Sequence, residues 1–256
     1  MARHGARRII ANEGRRHRTG VTSRHTGSAR VRGGGPRGGP RWRDASLCDT
    51  LAGFAHAGQV VETMQRIVYF SLDCEASGPM APLYNLLSIG VTSVFPESDH
   101  HVLGGSFYVE LQPIFPGFNP QALAVCGLDV ERLKREGVHP REAMTRLADW
   151  VRQEAGPDSS PVFVGHNAVF DWAYVAYYFA HFGLENPFGY KGIDTKSLAM
   201  GCLGIAWTET SKESLQKLLS LPPQDPAQIH RADYDAHYQA LILKAVLDRR
   251  KGAGSA

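Results

Sequence analysis

Cysteine is scarce in this chain of 256 residues, with only Cys48, Cys74, Cys126 and Cys202. None belongs to a C-x-x-C pair, which argues against a zinc-ligand spacing and against the disulfide framework of a small secreted domain. Thiols so dispersed suit a reducing, cytoplasmic compartment. Long apolar runs are also missing. No stretch approaches the roughly 18 uninterrupted apolar residues of a membrane helix, and the N-terminus lacks the apolar segment of a secretory signal. Lysine is absent from residues 1–63, where twelve arginines face four acids for a net of +8. The overall charge of +3 therefore averages two unlike parts, because residues 64–256 carry 16 basic and 21 acidic side chains, a net of −5.

The stretch Gly33-Gly34-Gly35-Pro36-Arg37-Gly38-Gly39-Pro40 has no apolar period and few side chains to pack, and the arginines around it repel one another. Residues 1–63 are therefore expected to form a disordered Arg/Gly-rich tail, and residues 64–253 the folded domain. Three readings of the tail stay open: a basic arm for nucleic acid phosphates, an organellar transit peptide, or the product of an upstream start codon, since Met64 immediately precedes the first strand.

Within the body, Ile67–Leu72 is a run of β-branched and aromatic residues and reads as a buried strand. Strands near Asn85–Phe95 and Gly105–Leu111 follow across short turns, which predicts antiparallel pairing. Pro140 opens a helix over Arg141–Glu154 with Ala143, Leu147, Trp150 and Val151 on one face. Pro161–Gly165 predicts a strand, Phe170–Phe182 a central helix and Gly189–Ile193 a strand ending at Asp194. Helical Lys196–Met200 and Ser214–Leu219 precede a last helix over Asp235–Arg249. The fold class is thus α/β, a mixed five-stranded sheet flanked by helices.

Asp73 and Glu75 end the first strand. Residues at i and i+2 point to one face, so both carboxylates converge. Like charges so placed need a counter-ion or a raised pKa, and a hard divalent cation is the natural partner of oxygen ligands. Two more clusters stand at strand ends or helix starts: His166-Asn167-Ala168-Val169-Phe170-Asp171, and His230-Arg231-Ala232-Asp233-Tyr234-Asp235. Singly, each has an ordinary explanation, Asp171 as a first-turn helix acid and His230 as a loop histidine. All three occurring in one chain is what suggests a site.

Taken in order, D-x-E-x-[ST]-G, H-N-x-x-F-D and H-x-x-x-x-D-A resemble the signatures of the DEDDh 3′–5′ exonuclease superfamily, whose members include ribonuclease T, oligoribonuclease and the proofreading subunits of DNA polymerases. The resemblance covers about 190 residues, from Met64 onward. It implies a ribonuclease H-like fold and hydrolysis of phosphodiester bonds at the 3′ ends of single-stranded RNA or DNA, releasing 5′-mononucleotides. It implies two Mg²⁺ ions, with Mn²⁺ as a substitute, held by Asp73, Glu75, Asp171 and Asp235, and His230 as general base. The spacing of His230 from Asp235 fits the histidine branch; the tyrosine branch would place its tyrosine where Arg231 stands. Asp233 is surplus to the motif and reads as a solvent-facing loop acid.

For substrate binding, the resemblance assigns the 3′-OH to backbone at Ala76 and Ser77. Phe170, Tyr84 and Leu86 are candidates to wedge the last base, and Lys191, Lys196, Lys212 and Arg231 could meet phosphates. The acidic body predicts few phosphate contacts. Some relatives dimerise, so a homodimer is a further expectation. Two other functions compete: a proofreading-type subunit valued for binding a polymerase, and a non-catalytic nucleic-acid binder using the arginine arm. The first would be expected to carry a polymerase-binding tail after the last helix. The second leaves the acids and His230 without purpose.

Overall fold

The computed structural model describes residues 65–253; the expected tail over 1–63 lies outside them. Five strands pair in the order β3-β2-β1-β4-β5. β1 (Arg66–Ala76), β2 (Leu86–Pro96) and β3 (His101–Glu110) run antiparallel. β4 (Ser159–Gly165) lies parallel to β1, and β5 (Gly192–Asp194) parallel to β4. The helices are α1 (Pro120–Cys126), α2 (Val130–Glu136), α3 (Pro140–Ala155), α4 (Val169–His181), α5 (Thr195–Leu203), α6 (Lys212–Leu218) and α7 (Ala232–Ala253). The mixed sheet flanked by helices is the architecture expected from the sequence.

Both faces of the sheet are covered. Val68, Phe70, Leu72 and Cys74 alternate onto the face that packs with α3 and α4. There Phe70 meets the Trp150 ring edge-on at 5.7 Å and lies 5.8 Å from the Phe188 ring. The alternate residues turn toward α7, whose Ala240, Leu243 and Leu247 pack with Val94 and Val164. Ser71 Oγ donates to the Ala236 carbonyl at 2.9 Å. Asp73 and Glu75 therefore share the α7 face, as the i, i+2 spacing requires.

β1 outruns β4. Their pairing ends at Ser71 with Val164, and β1 continues to Ala76 alongside β2 alone. The chain leaves β1 toward β2 and leaves β4 toward β5, so the two parallel strands diverge into a crevice at their C-terminal ends. That is where open α/β sheets hold ligands.

Several expected boundaries move, and two helices were not foreseen. α1 and α2 are each one short stretch of seven residues, capped by Asn119 and Asp129, and their apolar stripes are too brief to register as periodic. β3 starts at His101 rather than Gly105. Gly104-Gly105 reads as a break but sits inside the strand at an irregularity of the β2–β3 register, where Glu154 Oε1 accepts from Gly105 N and Ser93 Oγ, both at 2.7 Å. β5 begins at Gly192, three residues later than expected. α7 begins at Ala232, which puts Asp235 in its first turn.

Gly90 sets how closely α7 approaches. A Cβ there would lie 2.1 Å from the Ala232 carbonyl oxygen, so glycine lets the first turn of α7 rest on β2 opposite Asp73. Gly90→Ala should destabilise the fold by about 1–3 kcal/mol through overpacking, read as a lower urea midpoint at unchanged slope, and should raise amide exchange at the start of α7.

Candidate active site

A cleft of about 800 Å³ opens where β1 and β4 diverge. Asp73, Glu75, Asp171, Asp235 and His230 all line it, together with Ala76 and Phe170. The three sequence clusters meet there.

One face of α4 builds the wall. Asp171, Tyr174 and Tyr178 follow a helical spacing that keeps them on one side. Asp171 Oδ1 accepts from Cys74 N at 2.9 Å, Tyr174 Oη donates to the Gly78 carbonyl at 2.8 Å, and Tyr178 Oη accepts from Leu86 N at 2.9 Å. The Cys74 amide lies beyond the last β1–β4 pair, and the Asp171 carboxylate satisfies it. The loop before α4 is fixed as tightly. Asn167 takes φ +69°, Asp194 Oδ2 accepts from Ala168 N at 2.8 Å, and His166 Nδ1 meets Thr195 Oγ1 at 2.8 Å. Burial, then the Lys212 and Lys196 charges, lowers the His166 imidazole to about 4, so it stays neutral.

α7 supplies the opposite wall. Asp235, 3% exposed, accepts from His230 N through Oδ2 at 2.7 Å. His230 holds φ +67° on its exposed loop. Donor atoms of Glu75, His230 and Asp235 all lie within 4.8 Å of one another. One turn beyond Asp235, buried Gln239 accepts from His166 N at 3.2 Å and donates through Nε2 to Asp73 Oδ1. This one amide, carried on the helix that holds Asp235, joins the first and second clusters.

The acids are held where ionising is costly. Burial raises the Asp73 carboxyl from 3.8 to about 7, with the Asp235 charge adding to the rise and the Lys212 charge opposing it. Burial, then the Asp73 and Asp235 charges, takes Glu75 from 4.5 to about 9. Burial and the Asp73 charge push Asp171 well above the usual carboxylate range. A cation bound among these oxygens would reverse all three shifts. The donor set of carboxylates with one imidazole fits a hard divalent ion that keeps some of its water.

Some expected contacts are placed differently. Ser77 is fully buried under the cleft floor. Its N–H donates to the Asn85 carbonyl at 2.8 Å, its carbonyl accepts from Asn119 N at 2.7 Å, and its Oγ donates to the Gly117 carbonyl at 2.7 Å. With its N–H, carbonyl and hydroxyl all engaged, Ser77 braces the loop rather than facing a ligand. Leu86 is fully buried in the core, because the strand alternation turns it inward, and cannot wedge a base. Tyr84 is not among the cleft-lining residues, and its ring covers Gly78. Lys196 and Lys212 line the cleft; Lys191 and Arg231 do not, and Arg231 pairs with Asp233 at 2.9 Å. Asp233 is not a free solvent-facing acid, since its Oδ1 is buried without a partner.

Gln239 escaped the sequence reading, although it lies at i+4 from Asp235 and so on the same helix face. The roles of Asp194 and of Val125 and Ile229, exposed apolar side chains on the cleft wall, escaped as well.

No family model matches the chain. It is 35% identical over 179 residues to the 3′–5′ DNA exonuclease Cap18 of Escherichia coli, across 70% of this chain and 91% of that protein. It is 28% identical over 189 residues to ribonuclease T of Marinobacter nauticus, across 72% of this chain and 83% of that protein. Among solved structures, the nuclease domain of 3′hExo, a DEDDh family member bound to rAMP, aligns with a TM-score of 0.57 at 12% identity, over 73% of this chain and 93% of that one. The E. coli ExoI–single-stranded DNA complex aligns with a TM-score of 0.56 at 16% identity. This alignment takes in 71% of the chain but only 40% of ExoI. These structural likenesses show a shared ribonuclease H-like fold.

The raised acids give a pH signature with a definite sign. A carboxyl whose folded value exceeds its unfolded one contributes stability that is complete below the unfolded value and is lost as pH rises through the folded value. With chelator present, the melting midpoint should therefore fall from about pH 5 to about pH 9, and a saturating divalent cation should flatten that decline. Gln239→Leu should cost about 1–3 kcal/mol in urea unfolding, because it strips a partner from the His166 amide and from Asp73.

Proposed function

Because the chain belongs to the DEDDh family of 3′–5′ exonucleases, metal-dependent hydrolases of phosphodiester bonds, we propose that it shortens single-stranded RNA or DNA from the 3′ end, one 5′-mononucleotide at a time. The observation that carries this reading is the meeting of Asp73, Glu75, Asp171, Asp235 and His230 on one cleft at the divergence of β1 and β4. In this reading Asp73, Glu75, Asp171 and Asp235 hold two Mg²⁺ ions. Bound there, the ions supply the positive charge that favours a hydroxide-like nucleophile and offsets charge growing on the phosphate.

His230 stands at the rim, with a ring nitrogen near the Glu75 and Asp235 oxygens. It takes the proton of the attacking water as general base. The water oxygen bonds to phosphorus while the bond from phosphorus to the preceding 3′-oxygen breaks. The released nucleotide keeps the 5′-phosphate, and the shortened strand keeps a new 3′-OH. Asp194, Gln239, Tyr174 and Tyr178 position this set without touching substrate.

Ala76 lies on the cleft beside Glu75 and meets the terminal ribose. Phe170, edge-on to Tyr174 at 5.4 Å, presents an aromatic wall to the last base, with Val125 and Ile229 as apolar neighbours. The relatives are named for both DNA and RNA substrates, so either polymer is within this reading. Two cleft lysines and an acidic body favour a short single-stranded end over a long duplex groove.

A time course on 5′-labelled RNA and DNA should yield ladders that shorten from the 3′ end with Mg²⁺ and stay intact with chelator. Asp73→Ala should abolish turnover with little loss of stability, since it removes one of several mutually repelling acids. His230→Ala should lower kcat by about 10²–10⁴-fold. Laddering by Asp73→Ala at the wild-type rate would refute the assignment.

A further inference from the structure

The cleft contains a cation that the exonuclease chemistry does not call for. Lys212 Nζ donates to Asp235 Oδ1 and lies 4.0 Å from Asp73 Oδ1, with its side chain only 19% exposed. Local forces oppose this placement. Lys212 is the first residue of α6, where the helix dipole disfavours positive charge, and ammonium burial is costly without paired anions. Its contact with the acids offsets both. The ammonium thus sits among the oxygens assigned above to the metal ions, and a cation entering there must displace it. Its four-carbon stem gives it room to move within the same cleft, where a substrate phosphate would also lie.

Resting on the proposed metal-dependent reading, we propose that Lys212 is an exchangeable counter-ion. It neutralises Asp73 and Asp235 until a divalent cation enters, and then turns its ammonium to a phosphate of the bound strand. Lys196 makes the contrast clear. It also lines the cleft, but its ammonium sits 4.3 Å from the Trp207 ring centroid.

The test uses the full chain and Mg²⁺ alone, titrated by calorimetry into wild type, Lys212→Met, Lys212→Arg and Lys196→Met. Lys212→Met should bind Mg²⁺ about three- to tenfold more tightly, because no ammonium has to leave, while Lys212→Arg and Lys196→Met stay within about twofold of wild type. An unchanged or weaker affinity in Lys212→Met, or an equal gain in Lys196→Met, overturns the exchange. In chelator, Lys212→Met should melt several degrees below wild type, and saturating Mg²⁺ should close the gap; a gap that persists with Mg²⁺ also overturns it. With Ca²⁺ in place of Mg²⁺, log affinity for a single-stranded oligonucleotide should fall less steeply with log salt in Lys212→Met, by about 0.7 for one phosphate. An unchanged slope overturns the phosphate contact. A wild type that takes up no Mg²⁺ would instead refute the metal-dependent reading, and the melts in chelator would still report on the lysine's pairing.

Discussion

Carboxylates drawn together out of water repel one another, and that repulsion is the constraint around which this molecule is organised. Asp73 at about 7 and Glu75 at about 9 show how strongly burial and neighbouring charge resist ionisation at the tip of β1. The surroundings answer that resistance with directed donors. A backbone amide faces Asp171, a side-chain amide faces Asp73, and an ammonium and a second backbone amide face Asp235. A fold that only needed stability would have placed apolar groups there. Keeping the acids together makes sense as preparation for a cation.

The sheet makes the gathering geometrically simple. Because β1 continues past its parallel neighbour, its last residues have an open edge on the β4 side, and α4 uses that edge. Asp171, Tyr174 and Tyr178 meet β1 at Cys74, the connection at Gly78 and the start of β2 at Leu86, so the helix fixes the loop and the strand tip together. α7 approaches from the other face, let in by Gly90, and brings Asp235 and Gln239 to the same point. Two helices on opposite sides of a sheet thus act on one strand end.

How much of this was legible follows from the range of each signal. The strand at Asp73 and Glu75, the central helix and the three clusters all carry local patterns, and the structure places them as expected. Gly104-Gly105 misled because a glycine pair inside an irregular strand looks like the end of one. Ser77 and Leu86 were misjudged for another reason. Ser77 lies close to Glu75 in sequence, but the loop after β1 engages its backbone and hydroxyl. Leu86 opens β2 with its side chain turned into the core. Neither orientation shows in the local sequence. The pairings of Lys212 and Gln239 with the acids depended on contacts 23 and 166 residues away in sequence, which no local pattern could have displayed. The arginine-rich segment lies outside the described residues, and its three readings stay as the sequence left them.

Gln239 makes the order of synthesis matter. The amide that steadies Asp73 belongs to the last helix, and so does the fourth acid. A ribosome that has made the sheet and α4 has therefore produced a strand tip with three carboxylates and no bridge between its first two clusters. Until α7 emerges and docks, the growing polypeptide lacks the complete site, although most of its residues are already in place.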